Sequence, residues 1–226
     1  MASKKLPQFR SRLRAAEATA GISCARSNAQ RLVADAELLL ANDRHASALA
    51  LAVLAIEEAG KVSILRALVL ARSDEEVKAD WKEYRSHTSK NRLWPIIETV
   101  LKGARKLNDF RSLVADDADH PEVLDQLKQL AFYTDCLGNR HWSIPTDVIE
   151  SELASLIVRT AKLLASGGEI SQREIELWIQ HVGPFWKQSM EAMEGALVSW
   201  QDALQSEGLR PPGDNQMEKF ILDGIK

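Results

Sequence analysis

Residues 46–72 read ASALALAVLAIEEAGKVSILRALVLAR, a run that is apolar on nearly every face of a helix. Such a helix needs neighbours on all sides, so it belongs in the interior of a helical assembly. Glu57, Glu58 and Lys61 interrupt the run before it is long enough to span a bilayer. Glu57 shares its face with Val53, Ile64 and Leu68, and Glu58 shares its own with Leu54 and Leu65. Charges on buried faces require partners, and such clusters often mark a site. By spacing alone, Glu57 and Lys61 also fit an ordinary exposed helix pair worth a few tenths of a kcal/mol. Gly60 costs about 1 kcal/mol relative to alanine inside a helix, which points to something approaching closely there.

The rest of the chain alternates Ala/Leu-rich segments with short Pro, Gly, Asp and Asn punctuation. This pattern predicts an all-α protein arranged as an antiparallel bundle. With 226 residues, 45% of them hydrophobic and 27% charged, and a formal net charge of −3, it can bury a substantial core without staples. It carries no whole-chain signature of nucleic-acid binding. Pro7 fits the first turn of a helix that runs, with a bend at Gly21, to the Asn42–Asp43 turn. Ser73 and Ser171 each precede a Glu by three residues, the capping-box spacing. Pro95 and Pro121 mark helix starts, a helix from Pro145 should reach Gly167–Gly168, and Gly183–Pro184 should break the chain before a last helix to about Gln205. Residues 1–206 are expected to form one domain and 207–226 a tail.

Cys24 and Cys136 have neither metal-binding nor disulfide spacing and are expected as buried or half-buried thiols. The basic N-terminus lacks an apolar leader, so the chain is expected in the cytoplasm and off the membrane.

The short connection at 41–45 makes the first two long helices antiparallel neighbours. Counting from the turn places Glu57 level with Arg31 and Lys61 with Asn28, to about one helical turn. A polar cluster of Asn28, Arg31, Glu57, Glu58 and Lys61 is the expectation.

Residues 28–61, NAQRLVADAELLLANDRHASALALAVLAIEEAGK, resemble the signature of the AbiV abortive infection proteins, a branch of the HEPN superfamily. HTSK, His87 to Lys90, is similar to that family's His-x-x-Lys element. FYTDCLGNRHWSIP, 132–145, is similar to its Tyr-x-Asp segment, with Thr134 where an aliphatic residue is usual. The resemblance is strongest over 28–145, and the helices of 147–206 are read from periodicity alone. It implies an all-α, HEPN-like antiparallel helical bundle with additional C-terminal helices, a homodimer, and a role in bacterial phage defence. RNA or the translation machinery would be the target, and a phage-encoded protein the activator. Many HEPN proteins are metal-independent ribonucleases with an Arg followed, after four to six residues, by a His. None of the five histidines here has an Arg at that distance; Lys82 before His87 is the nearest substitute.

Metal-free RNA cleavage needs a base, an acid and cations around the phosphorane. Glu57, Glu58, Lys61, His87 and Lys90 are the candidate catalytic groups, with Asn28, Arg31, Tyr133 and Asp135 in support. Tyr133 and Trp142 are expected to pack in the core rather than to stack on bases. No metal is expected, since no Glu has a His three residues later as a di-iron bundle requires, and no cofactor motif is present. The rival reading is a non-catalytic module that binds a phage or host protein, in which the same charges lock the bundle.

Overall fold

The computed structural model describes residues 7–115 and 117–224. The helices are α1 (Ala15–Leu40), α2 (His45–Leu70), α3 (Asp74–Arg85), α4 (Ile96–Leu101), α5 (His120–Phe132), α6 (Pro145–Val148), α7 (Ser151–Ala165), α8 (Gln172–His181), α9 (Met190–Ser206) and α10 (Gln216–Leu222). Tighter 3₁₀ turns cover Thr88–Lys90, Leu107–Val114, Gly138–Arg140 and Gly183–Phe185. Among the described residues the fold is all-α except for one antiparallel hairpin, β1 (Asp135–Leu137) and β2 (His141–Ser143), with Cys136 opposite Trp142. Among the described residues, no helix is long and apolar enough to cross a membrane.

α2 lies in the middle, packed against α1, α3, α5, α7 and α8. Ala29 and Ala36 on α1, Ala48, Ala52 and Ala55 on α2, and Ala154 and Ala161 on α7 are fully buried. Their short side chains let three helix backbones approach closely. A second cluster joins Ile22, Leu65, Leu68, Trp81 and Ile175 beneath α3, and a third joins Leu70, Trp178, Trp200 and Leu204 under the C-terminal helices. The tight turn after α1 uses Asp43 at φ 57°, a conformation that a short polar residue tolerates.

Several local expectations change. α1 begins at Ala15, not Pro7, because residues 7–14 are non-helical and held against α3: Trp81 donates to the Ser11 carbonyl at 2.9 Å and Arg85 to that of Phe9. α1 passes through Gly21 as one helix, and the missing side chain there makes room for Leu65. The segment from Pro145 breaks at Ile149, whose extended backbone turns its side chain into the core before α7 starts. Ser171 and Glu174 form a reciprocal capping box. Ser73 caps α3 at 3.2 Å, but Glu76 accepts from the backbone N–H of Arg72 instead. The segment after α9 carries α10, capped by Asn215, which also donates to Val198 and Asp202 of α9.

Asp80, on α3, is buried, and its Oδ2 has no hydrogen-bond partner among the described residues. Burial raises its carboxyl pKa from 3.8 to about 6; Lys187 opposes the shift, while Glu83 and Glu76 reinforce it. The folded protein therefore holds a proton that the unfolded chain releases, and stability declines as pH rises across 3.8 to about 6. Asp80→Asn is expected to raise the Tm at pH 7 by roughly 2–4 °C, the equivalent of about 1 kcal/mol, with little change near pH 4. Thermal melts at both pH values check this; an equal shift at both would remove the ionisation from the explanation.

Candidate functional site

The site grows from one turn of α2. Glu57 is 4% exposed and points at α5 and at the 3₁₀ turn Thr88–Lys90. Its Oε1 accepts from Lys128 Nζ at 2.6 Å, and its Oε2 accepts from His87 Nδ1 at 2.7 Å. Lys90 Nζ stands 3.7 Å from Oε2, within ion-pair range but beyond a hydrogen bond. Lys128 also lies 2.6 Å from Asp125 Oδ1. One turn along α2, Lys61 pairs with Glu58, and its ammonium sits 5.3 Å from the centre of the Tyr84 ring.

Gly60 explains how the 3₁₀ turn reaches α2. A Cβ on Gly60 would meet the Lys90 carbonyl oxygen at 2.1 Å and its carbonyl carbon at 2.9 Å. The glycine therefore lets backbone lie on backbone, which sets Lys90 and His87 over Glu57. The close approach anticipated from the sequence is made by this turn.

The electrostatics separate the two lysines that share Glu57. Lys90 is pulled down by burial, with Lys61 and Lys128 adding repulsion and Glu57 and Glu58 only partly compensating. Burial also pulls on Lys128, but its contacts with Asp125 and Glu57 outweigh this and its pKa moves up. Glu57 thus stabilises Lys128 well and Lys90 poorly. Three carboxylates, Glu57, Glu58 and Asp125, face three ammoniums, Lys61, Lys90 and Lys128.

His87 is held differently from the lysines. Its side chain is 63% exposed while its partner Glu57 is buried. An ionised carboxylate only accepts, so Nδ1 carries the shared proton and Nε2 of the neutral ring keeps its lone pair. A buried acid that orients an exposed imidazole is the arrangement of a proton-transfer dyad.

The structure brings together Glu57, Glu58, Lys61, His87 and Lys90. It separates the expected supporting residues from them. Arg31 is exposed on α1 and bonds to Asn28 and Asp35 of its own helix. Tyr133 and Asp135 lie exposed after α5, Asp135 capping the N–H of Cys136. Core packing of Tyr133 and Trp142 is overturned: they are 61% and 66% exposed, because the hairpin stands off the bundle. Cys24 and Cys136 are likewise exposed rather than buried, one on the outer face of α1 and the other on the hairpin.

Lys128, Asp125 and Asn91 complete the cluster's surroundings. Lys128 follows buried Leu124 by four residues and precedes buried Ala131 by three. A lysine on the apolar stripe of α5 was the sequence signal for it. Asn91, fully buried beside Lys90, has no partner for either side-chain polar atom among the described residues.

Glu57, His87 and Asp125 place ligand atoms within 4.8 Å of one another, a spacing compatible with a metal ion. The Lys128 ammonium, 2.6 Å from both carboxylates, already serves as their cation. A metal would have to displace it, so the donor set fits poorly.

A family model described as AbiV, of the HEPN type, matches residues 17–166, which contain every group of this cluster. No curated protein and no solved structure matches the chain.

Proposed function

Because the chain belongs to the AbiV family of HEPN proteins, a family associated with abortive-infection defence, we propose that it is a phage-defence effector that cleaves RNA without a metal at the Glu57–His87 dyad. The observation that carries this reading is the 2.7 Å contact between buried Glu57 and the exposed His87 ring. His87 Nε2 takes the proton of an RNA 2′-hydroxyl as the O2′–P bond forms and the P–O5′ bond breaks. The departing 5′-oxygen takes a proton from water or from the Lys61 ammonium. Lys61 and Lys90 stabilise the charge that develops on phosphorus. The chain acts as a homodimer in the cytoplasm, with a phage protein as trigger; membership of the family supports this wider setting.

A second reading rests on a specific observation. Glu57, Lys90 and Lys128 are 4%, 8% and 5% exposed, which suits an ionic lock in a module that only binds a partner. The His87→Ala variant separates the two. Its exposed ring contributes little packing, so its Tm should stay near the parent's. Cleavage of total bacterial RNA in EDTA should fall by about 10²–10⁴-fold, the usual contribution of a positioned acid–base group. No cleavage by either would favour the binding module, and equal cleavage by both would overturn His87 as the base.

A further inference from the structure

A cavity of about 350 Å³ lies among α1, the C-terminal half of α2, the 3₁₀ turn at Lys90, the end of α7, and α8. Its size falls within the range of small-molecule pockets. Arg26, Arg66 and Lys90 line it, and among the described residues no carboxylate does. The nearby acids are engaged elsewhere: Glu57 with Lys128 and His87, and Glu174 with Arg210 and the Ser171 N–H.

Arg66 is the least satisfied of these cations. Its Nε is buried and has no hydrogen-bond partner among the described residues. Its guanidinium carbon sits 5.3 Å from the centres of both the Trp178 and Trp200 rings, which favours the cation but supplies no acceptor. Burial and the neighbouring charge of Arg26 lower its pKa to about 10. Arg26 has one donor on the Gly168 carbonyl and further N–H groups to offer. Lys90 pairs with Glu57 at 3.7 Å.

We propose that this cavity is a binding site for a nucleoside monophosphate, separate from the His87 dyad. Two neighbouring guanidiniums, Arg26 and Arg66, whose like charges repel, suit a phosphomonoester, which carries about −1.5 to −2 charges at neutral pH, better than a single carboxylate. Ser63 and Ser166 donate to carbonyls of their own helices and keep acceptor lone pairs for sugar hydroxyls. The Trp186 and Trp178 indoles, with Leu93 and Leu164, form an apolar wall for a base. Both indoles lie beyond the family match at 166, so the C-terminal helices complete this pocket.

The test is calorimetric titration of the full chain with AMP, adenosine and inorganic phosphate, independent of any RNA cleavage. AMP should bind saturably, with adenosine and phosphate each at least about tenfold weaker, because each lacks one half of the recognition. Arg26→Ala should weaken AMP by about tenfold through loss of a charge-assisted contact. Trp186→Ala should weaken it by a similar factor through loss of stacking. Both residues are only partly buried, and melts confirm that the variants remain folded. Absence of AMP binding, unchanged binding in both folded variants, or phosphate binding as tightly as AMP would each overturn the proposal.

Discussion

Glu57→Gln is expected to lower the melting temperature by roughly 6–20 °C. The substitution keeps size and shape but removes the one carboxylate that both Lys128, at 2.6 Å, and Lys90, at 3.7 Å, face inside the bundle. Removing one member of a buried ion pair costs about 3–5 kcal/mol, because the remaining charge is left desolvated. In a protein of this length each kcal/mol moves the Tm by about 2–4 °C. Asp125 still compensates Lys128, so the strain should concentrate on Lys90. Pairing Glu57→Gln with Lys90→Met restores the balance of charges, two of each sign, and should recover much of the loss. The cycle isolates the interaction, since the two side chains form an ion pair at 3.7 Å. A single variant melting within about 2 °C of the parent would mean that water, not Glu57, compensates the lysines.

Gly60→Ala is expected to be more damaging to activity than to stability. An alanine here gains about 1 kcal/mol of helix propensity, but its Cβ would lie 2.1 Å from the Lys90 carbonyl oxygen and 3.0 Å from its Cα. Those atoms are backbone and cannot swing away. The 3₁₀ turn must lift off α2, carrying His87 and Lys90 with it. Overpacking of this kind costs about 1–3 kcal/mol, so the net loss of stability is modest. Displacing a catalytic group by about 1 Å costs roughly 100-fold in rate, and RNA cleavage should fall at least that far. Two other glycines are controls. At Gly21 the new Cβ meets only the movable tip of Leu65 at 3.3 Å, and at Gly195 it meets nothing within 4 Å. Alanine at Gly195 should stabilise α9 slightly and leave cleavage intact. Full activity in Gly60→Ala would show that the turn has no role in aligning His87.

Much of this was legible in residues 46–72. The apolar run determines that α2 is central, and charges within it must be paired wherever the chain provides partners. The capping serines, the Pro121 start of α5 and the Gly183–Pro184 break act within a turn of the backbone, so local chemistry is enough to place them. Arg31 was misplaced for an instructive reason. Counting residues from the turn gives height along a helix pair but not the rotation of each helix, and Arg31 faces outward to Asn28 and Asp35. Pro7 is permitted to start a helix, yet the carbonyls of Phe9 and Ser11 are taken by Arg85 and Trp81.

The sequence by itself determined an all-α bundle, a buried helix that carries charge, and a glycine that something must touch. Only the tertiary structure decided which groups those features meet. Lys128 reaches Glu57 across 71 residues and His87 across 30, separations at which pairing depends on how whole helices rotate and pack. The same packing left the His87 ring in solvent while burying its carboxylate, because the 3₁₀ turn starts at the surface beside His87 and ends buried against α2, where Lys90 meets Gly60. Exposure of one partner and burial of the other is a property of that contact, and no local pattern encodes it.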